Sequence, residues 1–286
     1  MIRTEIVDLY QNYAQDPQGA AGGRLLVWSW RTPKKISPLG RKRPAVLITP
    51  GGGYQHVSPR EAEPVAMRFL ARGYTAFVLE YSVSPSRFPT ALREAAMAMR
   101  YIREHAAELE VDPAMVAAIG FSAGGHLCGC LGTMYDCPEV RDIAPPETLR
   151  PDALGLCYPV AVSWGKTHGD SFLRLTGGDP ALTDRLSLDK LARADMPPVF
   201  LWHTAADETV PARNSLVLSQ ALDEKGVAFA LHIYRDGPHG MSLADAQCYP
   251  VKKVPERSTD VTEWPEKMML FFEELGFTVT DREETV

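Results

Sequence analysis

The sequence predicts an α/β fold, with a mostly parallel central sheet and helices on both faces. Two observations carry that expectation. Short apolar runs alternate with longer helical patterns along the 286 residues, the order that strand–helix–strand units require. Most of the apolar runs are continuous rather than alternating with polar residues, which marks strands covered on both sides.

The predicted strands, in chain order, are 25–30, 45–49, 75–81, 115–120, 153–158, 199–204 and 228–234. Ala45-Val46-Leu47-Ile48-Thr49 is typical: apolar, largely β-branched, and followed by Pro and Gly. Between the strands, helices are predicted at about 59–72, 90–107, 123–134, 213–225 and 261–275. The second carries Ala91, Leu92, Ala95, Ala96, Met99 and Ile102, an apolar face at helical spacing. Segments 135–151 and 160–191 fit the alternation badly and read as short-helical insertions over the site. With no internal repeat and no low-complexity linker, one domain over 1–286 is expected, with its core at about 25–277. Asp281–Val286 is polar and expected to fray.

Composition narrows the functional classes. A hydrophobic share of 45% with 23% charged residues is that of an ordinary soluble protein. The net charge of −6 argues against nucleic acid as a partner. The basic cluster Arg41-Lys42-Arg43 reads as a solvated loop before a strand. Neither a signal-peptide core nor an apolar run long enough for a membrane span is present, so no membrane association is expected and a cytoplasmic location is. The odd set of 5 cysteines has no disulfide spacing; free thiols in a reducing compartment are expected. Cys128 and Cys130 point to different faces of one helix, so neither they nor any other group suggests a metal site.

Four short segments carry chemistry. The strand Met115–Ile119 runs into Gly120-Phe121-Ser122-Ala123-Gly124-Gly125 and then a helix. A sharp strand-to-helix turn exposes a serine Oγ and needs small neighbours on both sides, which makes Ser122 the candidate nucleophile. Pro50-Gly51-Gly52-Gly53-Tyr54 follows another strand. Glycines can turn backbone amides toward a developing oxyanion, and Gly52, Gly53 and Ala123 are the expected donors. A phosphate-binding loop is disfavoured because the Gly-Lys-Ser/Thr ending is missing. Asp207, with Glu208 as its rival, lies on the loop after Val199–Thr204 and could hold a histidine by its Nδ1–H. Among the 7 histidines, His239 stands alone on a Gly-rich loop after a strand. His203 and His232 fall within predicted strands, and His126 is too near Ser122 along the helix. The order Ser122, Asp207, His239, with a strand between successive members, is that of a serine hydrolase on an open α/β sheet.

These segments resemble the α/β-hydrolase esterases of the hormone-sensitive-lipase and carbohydrate-esterase branches. A closer likeness is to xylan-esterase-like acetylesterases, carried by Thr49–Tyr54, Ser58–Ala66, Leu79–Val83, Leu156–Val160 and Trp202–Pro211. The likeness runs from about Leu25 to Phe277. It implies the α/β-hydrolase fold, a serine carboxylesterase working through an acyl-enzyme, no cofactor, and a small acyl ester as partner, in particular an acetyl group on a xylo-oligosaccharide or related sugar. Tyr54, His56, Tyr158, Trp164 and His168 are the candidate substrate contacts. Two departures stand out. Pro50 occupies a place where lipase-like relatives carry His, so the glycine loop needs other hydrogen-bonding support, and Ala206 replaces a frequent Asp. A prolyl-oligopeptidase-type aminopeptidase, a small-amide hydrolase and a catalytically dead binding protein are the alternatives, and a homo-oligomer is compatible with the sequence.

Overall fold

The computed structural model describes residues 1–13, 20–255 and 259–283. A nine-stranded sheet runs through the molecule in the order β1-β2-β4-β3-β5-β6-β7-β8, with β9 beside the start of β3. The strands are β1 (Ile2–Asp8), β2 (Arg24–Trp30), β3 (Arg41–Thr49), β4 (Thr75–Glu80), β5 (Val111–Phe121), β6 (Ala153–Cys157), β7 (Val199–Thr204), β8 (Phe229–Tyr234) and β9 (Thr280–Asp281). From β4 to β8 every pairing is parallel, while β1, β2 and β9 pair antiparallel with their neighbours. The predicted architecture is therefore the one the chain adopts.

Covering both faces explains the unbroken apolar strands. Along β3, Ala45 and Leu47 face one core while Val46 and Ile48 face the other. The first core is roofed by α3 (Thr90–Glu104), α4 (Ala123–Met134) and α9 (Arg213–Glu224), the second by α2 (Glu63–Ala71) and α10 (Trp264–Glu274). Five shorter helices complete the set among the described residues: α1 (Leu9–Asn12), α5 (Pro146–Leu149), α6 (Gly169–Thr176), α7 (Pro180–Arg185) and α8 (Leu188–Leu191).

Several expectations need correction. The helix expected over 59–72 is interrupted: a 3-10 turn at Pro59–Glu61 ends at Ala62, and α2 begins at Glu63. Pro64 in the first turn of α2 has no N–H, and in a continuous helix its ring would clash with the carbonyl of Arg60, so the break falls ahead of it. The helix expected over 261–275 likewise starts as a 3-10 turn, Thr259–Glu263. Strand β1 was not foreseen because it is an edge strand with mostly exposed residues, so it has no apolar run to betray it. Asp281 is not frayed but pairs with Arg41, whereas 284–286 lie outside the described residues. Segment 135–151 does not cover the site. It lies along α3, where Arg100 and Arg103 donate to the carbonyls of Ile143 and Thr148. Segment 160–191 forms α6, α7 and α8, and only α6 and its flank reach the site.

No helix among the described residues is long and apolar enough to cross a membrane. All 5 cysteines are free, with Cys137 half-buried and the rest buried.

Candidate active site

The loops that follow β3, β5, β6, β7 and β8 all emerge at the carboxyl edge of the sheet, where open α/β sheets bind ligands. Ser122 sits between β5 and α4 with φ 54° and ψ −119°, a left-handed backbone that a serine holds only under constraint. Its amide donates to the Cys157 carbonyl at 3.0 Å, and its carbonyl accepts the Val160 amide at 3.0 Å. The helix start is pinned from the other side as well: Thr49 Oγ1 donates to the Gly124 carbonyl at 2.9 Å.

A side chain at Gly124 has no room, since a Cβ there would lie 2.1 Å from the Thr49 carbonyl oxygen. Gly124→Ala is expected to cost about 3 kcal/mol and to lower the thermal midpoint by ~5–10 °C. It should also lower kcat by about 100-fold, because the shift moves Ser122 itself. Thermal unfolding and ester hydrolysis, measured side by side, check both.

Ser122 Oγ lies 2.8 Å from His239 Nε2, and His239 Nδ1 lies 2.6 Å from Asp207 Oδ2. The structure thus joins the predicted nucleophile, base and acid in one hydrogen-bonded chain. Asp207 is 4% exposed. Its Oδ1 accepts the amides of Thr209 at 3.0 Å and Val210 at 2.8 Å, which fixes the carboxylate plane. Glu208, the rival acid, is exposed and faces a neighbouring cavity. Burial pushes the Asp207 pKa upward, but hydrogen bonds from His203 and His239 outweigh it and hold the carboxyl below the usual carboxylate range.

His203 escaped the sequence reading as a functional group. It is wholly buried, with Nε2 2.7 Å from the Val210 carbonyl and 3.4 Å from Asp207 Oδ2. A carbonyl only accepts, so Nε2 carries the proton and faces the acid. Nothing in a strand sequence distinguishes such a histidine from an ordinary core one. His126, on α4, is also buried: Nε2–H donates to the Leu186 carbonyl at 2.7 Å, and Nδ1 accepts from Tyr54 at 2.8 Å. Burial lowers its pKa to about 4.

The glycine loop replaces the missing histidine at Pro50 with two other supports. Tyr81 donates to the Pro50 carbonyl at 2.7 Å, and Glu61 accepts the Gly51 amide at 2.8 Å. Gly52 has φ +126°, and a Cβ there would lie 2.0 Å from the His56 carbonyl oxygen, so only glycine fits. Neither the Gly52 nor the Gly53 amide donates to another backbone group among the described residues. Ala123 opens α4, where an amide has no intrahelical acceptor. None of these three amides has a backbone acceptor among the described residues.

Ser122, His239, Gly52 and Gly53 line a cavity of about 350 Å³. Its walls include His56 and His168, two of the five candidate substrate contacts, together with Arg60, Asp170, Arg174 and Thr209. Burial holds His168 below the usual imidazole range, and its Nδ1 lies 2.8 Å from Ser171 Oγ. The other three candidates lie elsewhere. Tyr54 is buried against His126. Trp164 is exposed outside the cavity, under the Arg213 guanidinium at 4.1 Å. Tyr158 is buried below the floor, with its hydroxyl on Glu61 and its ring against His239. Arg60, Glu61 and Arg174 were not singled out from sequence: apolar periodicity says which residues face the core, and it is silent on polar residues that turn inward at a helix break.

Comparison with known proteins fits this geometry. Residues 36–144 match the BD-FAE family, and residues 178–257 match the prolyl oligopeptidase family. Endo-1,4-beta-xylanase B of Butyrivibrio fibrisolvens is 37% identical over 73% of this chain and 34% of its own length. The acetylxylan esterase of Xylanibacter ruminicola is 28% identical over 72% of this chain and 42% of its own. This chain therefore spans well under half the length of both. The crystal structure of the acetyl ester-xyloside bifunctional hydrolase from Caldicellulosiruptor lactoaceticus superposes with a TM-score of 0.82, at 34% identity over 96% of this chain and 97% of the other.

Proposed function

The chain belongs to the α/β-hydrolase esterase family, and from that premise we propose that it is a serine carboxylesterase that removes short acyl groups, in particular acetyl, from xylo-oligosaccharides or related sugars. One observation carries the reading: the chain from Ser122 Oγ through His239 to Asp207, at 2.8 and 2.6 Å, opens onto a cavity lined also by Gly52 and Gly53, whose amides have no backbone acceptor among the described residues.

In this reading His239 Nε2 takes the proton from Ser122 Oγ as the oxygen attacks the ester carbonyl. The carbonyl oxygen gathers negative charge among the Gly52, Gly53 and Ala123 amides. Asp207 keeps the proton of His239 on Nδ1 and offsets the imidazolium charge. His239 then protonates the departing alcohol, and water repeats the attack on the acyl-enzyme with the same base.

The polar walls support a hydroxyl-rich alcohol. Arg60, Arg174, Asp170, His56 and His168 offer donors and acceptors to a sugar. A second cavity shares Thr209 and His239 with the first, so the cleft continues past the base. That continuation supports an alcohol part longer than one sugar ring. The name of the Xylanibacter ruminicola relative and that of the Caldicellulosiruptor lactoaceticus hydrolase agree with an acetylated xylose-based substrate.

The prolyl oligopeptidase match over residues 178–257 supports an aminopeptidase as the second reading. One panel separates the two: acetylated xylo-oligosaccharides, acetylated monosaccharides, p-nitrophenyl esters of increasing acyl length, and aminoacyl anilides. Acetylated oligosaccharides are expected to turn over with the highest kcat/KM, acetyl ahead of butyryl, and anilides not at all. Preference for butyryl or longer chains would remove the acetylesterase reading, and preference for anilides would remove the esterase. In the same panel, Thr209→Trp is expected to lower kcat/KM on oligosaccharides by ~10-fold while leaving p-nitrophenyl acetate within about twofold, because it narrows the passage and leaves the reacting atoms alone.

A further inference from the structure

One buried carboxylate joins three loops beneath the cavity. Glu61 is 2% exposed. Its Oε2 accepts the Gly51 amide at 2.8 Å and its Oε1 accepts the Tyr158 hydroxyl at 2.6 Å. That hydroxyl in turn accepts the Ser242 amide at 2.9 Å, three residues past His239. The Tyr158 ring lies edge-on to the His239 imidazole, with centroids 5.1 Å apart. Glycine loop, β6 loop and histidine loop thus meet through two side chains.

Two features set this link apart from ordinary packing. Among the described residues Glu61 has no cationic partner, and its hydrogen bonds come from one amide and one phenol. Burying a carboxyl group is costly unless its oxygens are hydrogen-bonded, and here each oxygen has its own donor from a different loop. The backbone is also constrained at both ends of the Tyr158–Ser242 bond, with φ of 37° at Tyr158 and 51° at Ser242. Burial, and then the charge of Glu61, holds the phenol well above its usual range, so its proton stays on the oxygen and is donated to Glu61. The helix break at Ala62 is what turns Glu61 inward.

We propose that Glu61, acting through Gly51 and Tyr158, is a positioning residue that sets the Gly52 and Gly53 amides and the His239 imidazole in register with Ser122. The proposal rests on the serine-esterase reading. Pinning the Gly51 amide orients the two peptides that follow it. Pinning Tyr158 sets both the ring that flanks His239 and the loop that carries it. Neither Glu61 nor Tyr158 exchanges a proton with substrate in this scheme.

The test compares wild type, Glu61→Gln, Tyr158→Phe and the double variant on p-nitrophenyl acetate. Rates are expressed per Ser122 labelled by a fluorophosphonate, so that unfolded protein is not counted. Each single variant is expected to lose about 30–100-fold in kcat with KM within ~3-fold, the signature of lost alignment and not of lost binding. The double variant should fall no more than ~3-fold below the worse single variant, because the two residues act as one unit. Tyr158→Phe removes a single oxygen and keeps the ring, so it carries the test alone if Glu61→Gln does not fold. A kcat per labelled serine within ~3-fold of wild type in Tyr158→Phe, or fully multiplicative losses in the double variant, overturns the proposal and leaves the esterase reading intact. Failure of wild type to label at Ser122 overturns the esterase reading and takes this proposal with it.

Discussion

Ser122→Ala is expected to reduce hydrolysis of p-nitrophenyl acetate by at least about 10⁴-fold while the protein stays folded. The only side-chain partner of Oγ among the described residues is His239 Nε2. Removing that oxygen therefore leaves no buried polar group without a partner beyond one imidazole nitrogen that faces the cavity. The left-handed backbone at position 122 is held by the Cys157 and Val160 hydrogen bonds, which an alanine makes equally well. The thermal midpoint should accordingly move by only a few degrees. Retained turnover at the wild-type rate in a folded Ser122→Ala variant would refute the nucleophile.

The second large effect is that of Asp207→Asn, for which kcat should fall by about 10³–10⁴-fold. An asparagine is nearly the same size and keeps an oxygen for the Thr209 and Val210 amides, so the loop survives. Its amide nitrogen then faces His239 Nδ1 as a donor. The imidazole has to accept there and move its proton to Nε2, toward Ser122 Oγ, where a base is needed. His203 suffers too, because its Nε2–H faces the same carboxylate oxygen at 3.4 Å. The wild-type pH dependence separates this acid from the base. The folded carboxyl lies below its unfolded value, so the stability it contributes is fully present above about pH 4 and is lost only as pH falls through the folded value. A loss of activity between pH 5 and 7 then belongs to another group, and a pH–rate profile that placed the Asp207 titration there would contradict the geometry.

The fold and the segments that bring Ser122, Asp207 and His239 together were legible for the same reason. Strands buried on both faces leave unbroken apolar runs, and the loops at their ends carry glycines because backbone must pass close to backbone. Gly124 against the Thr49 carbonyl and Gly52 against the His56 carbonyl are such contacts. The substrate contacts were harder to read. Tyr54 and Tyr158 have the composition of sugar-binding residues, but their hydroxyls turn inward to His126 and Glu61. Direction at a loop depends on local backbone, here a left-handed φ of 54° at Tyr54 and 37° at Tyr158, and the pattern of residue types does not encode it. Arg174 and Asp170 reach the cavity from α6, a helix within an insertion whose placement only the tertiary structure determines.

Segment 160–191 has a consequence for how such a protein can change. It contributes His168, Asp170 and Arg174 to the cavity wall, and none of Ser122, Asp207, His239 or the three glycine-loop and helix amides. Part of the cavity wall is therefore carried on a helix separate from the stretches that hold Ser122, Asp207 and His239. Under the proposed function, a library confined to α6 and its flank can explore new alcohols while Ser122, Asp207 and His239 stay unchanged, and a lineage can do the same one substitution at a time.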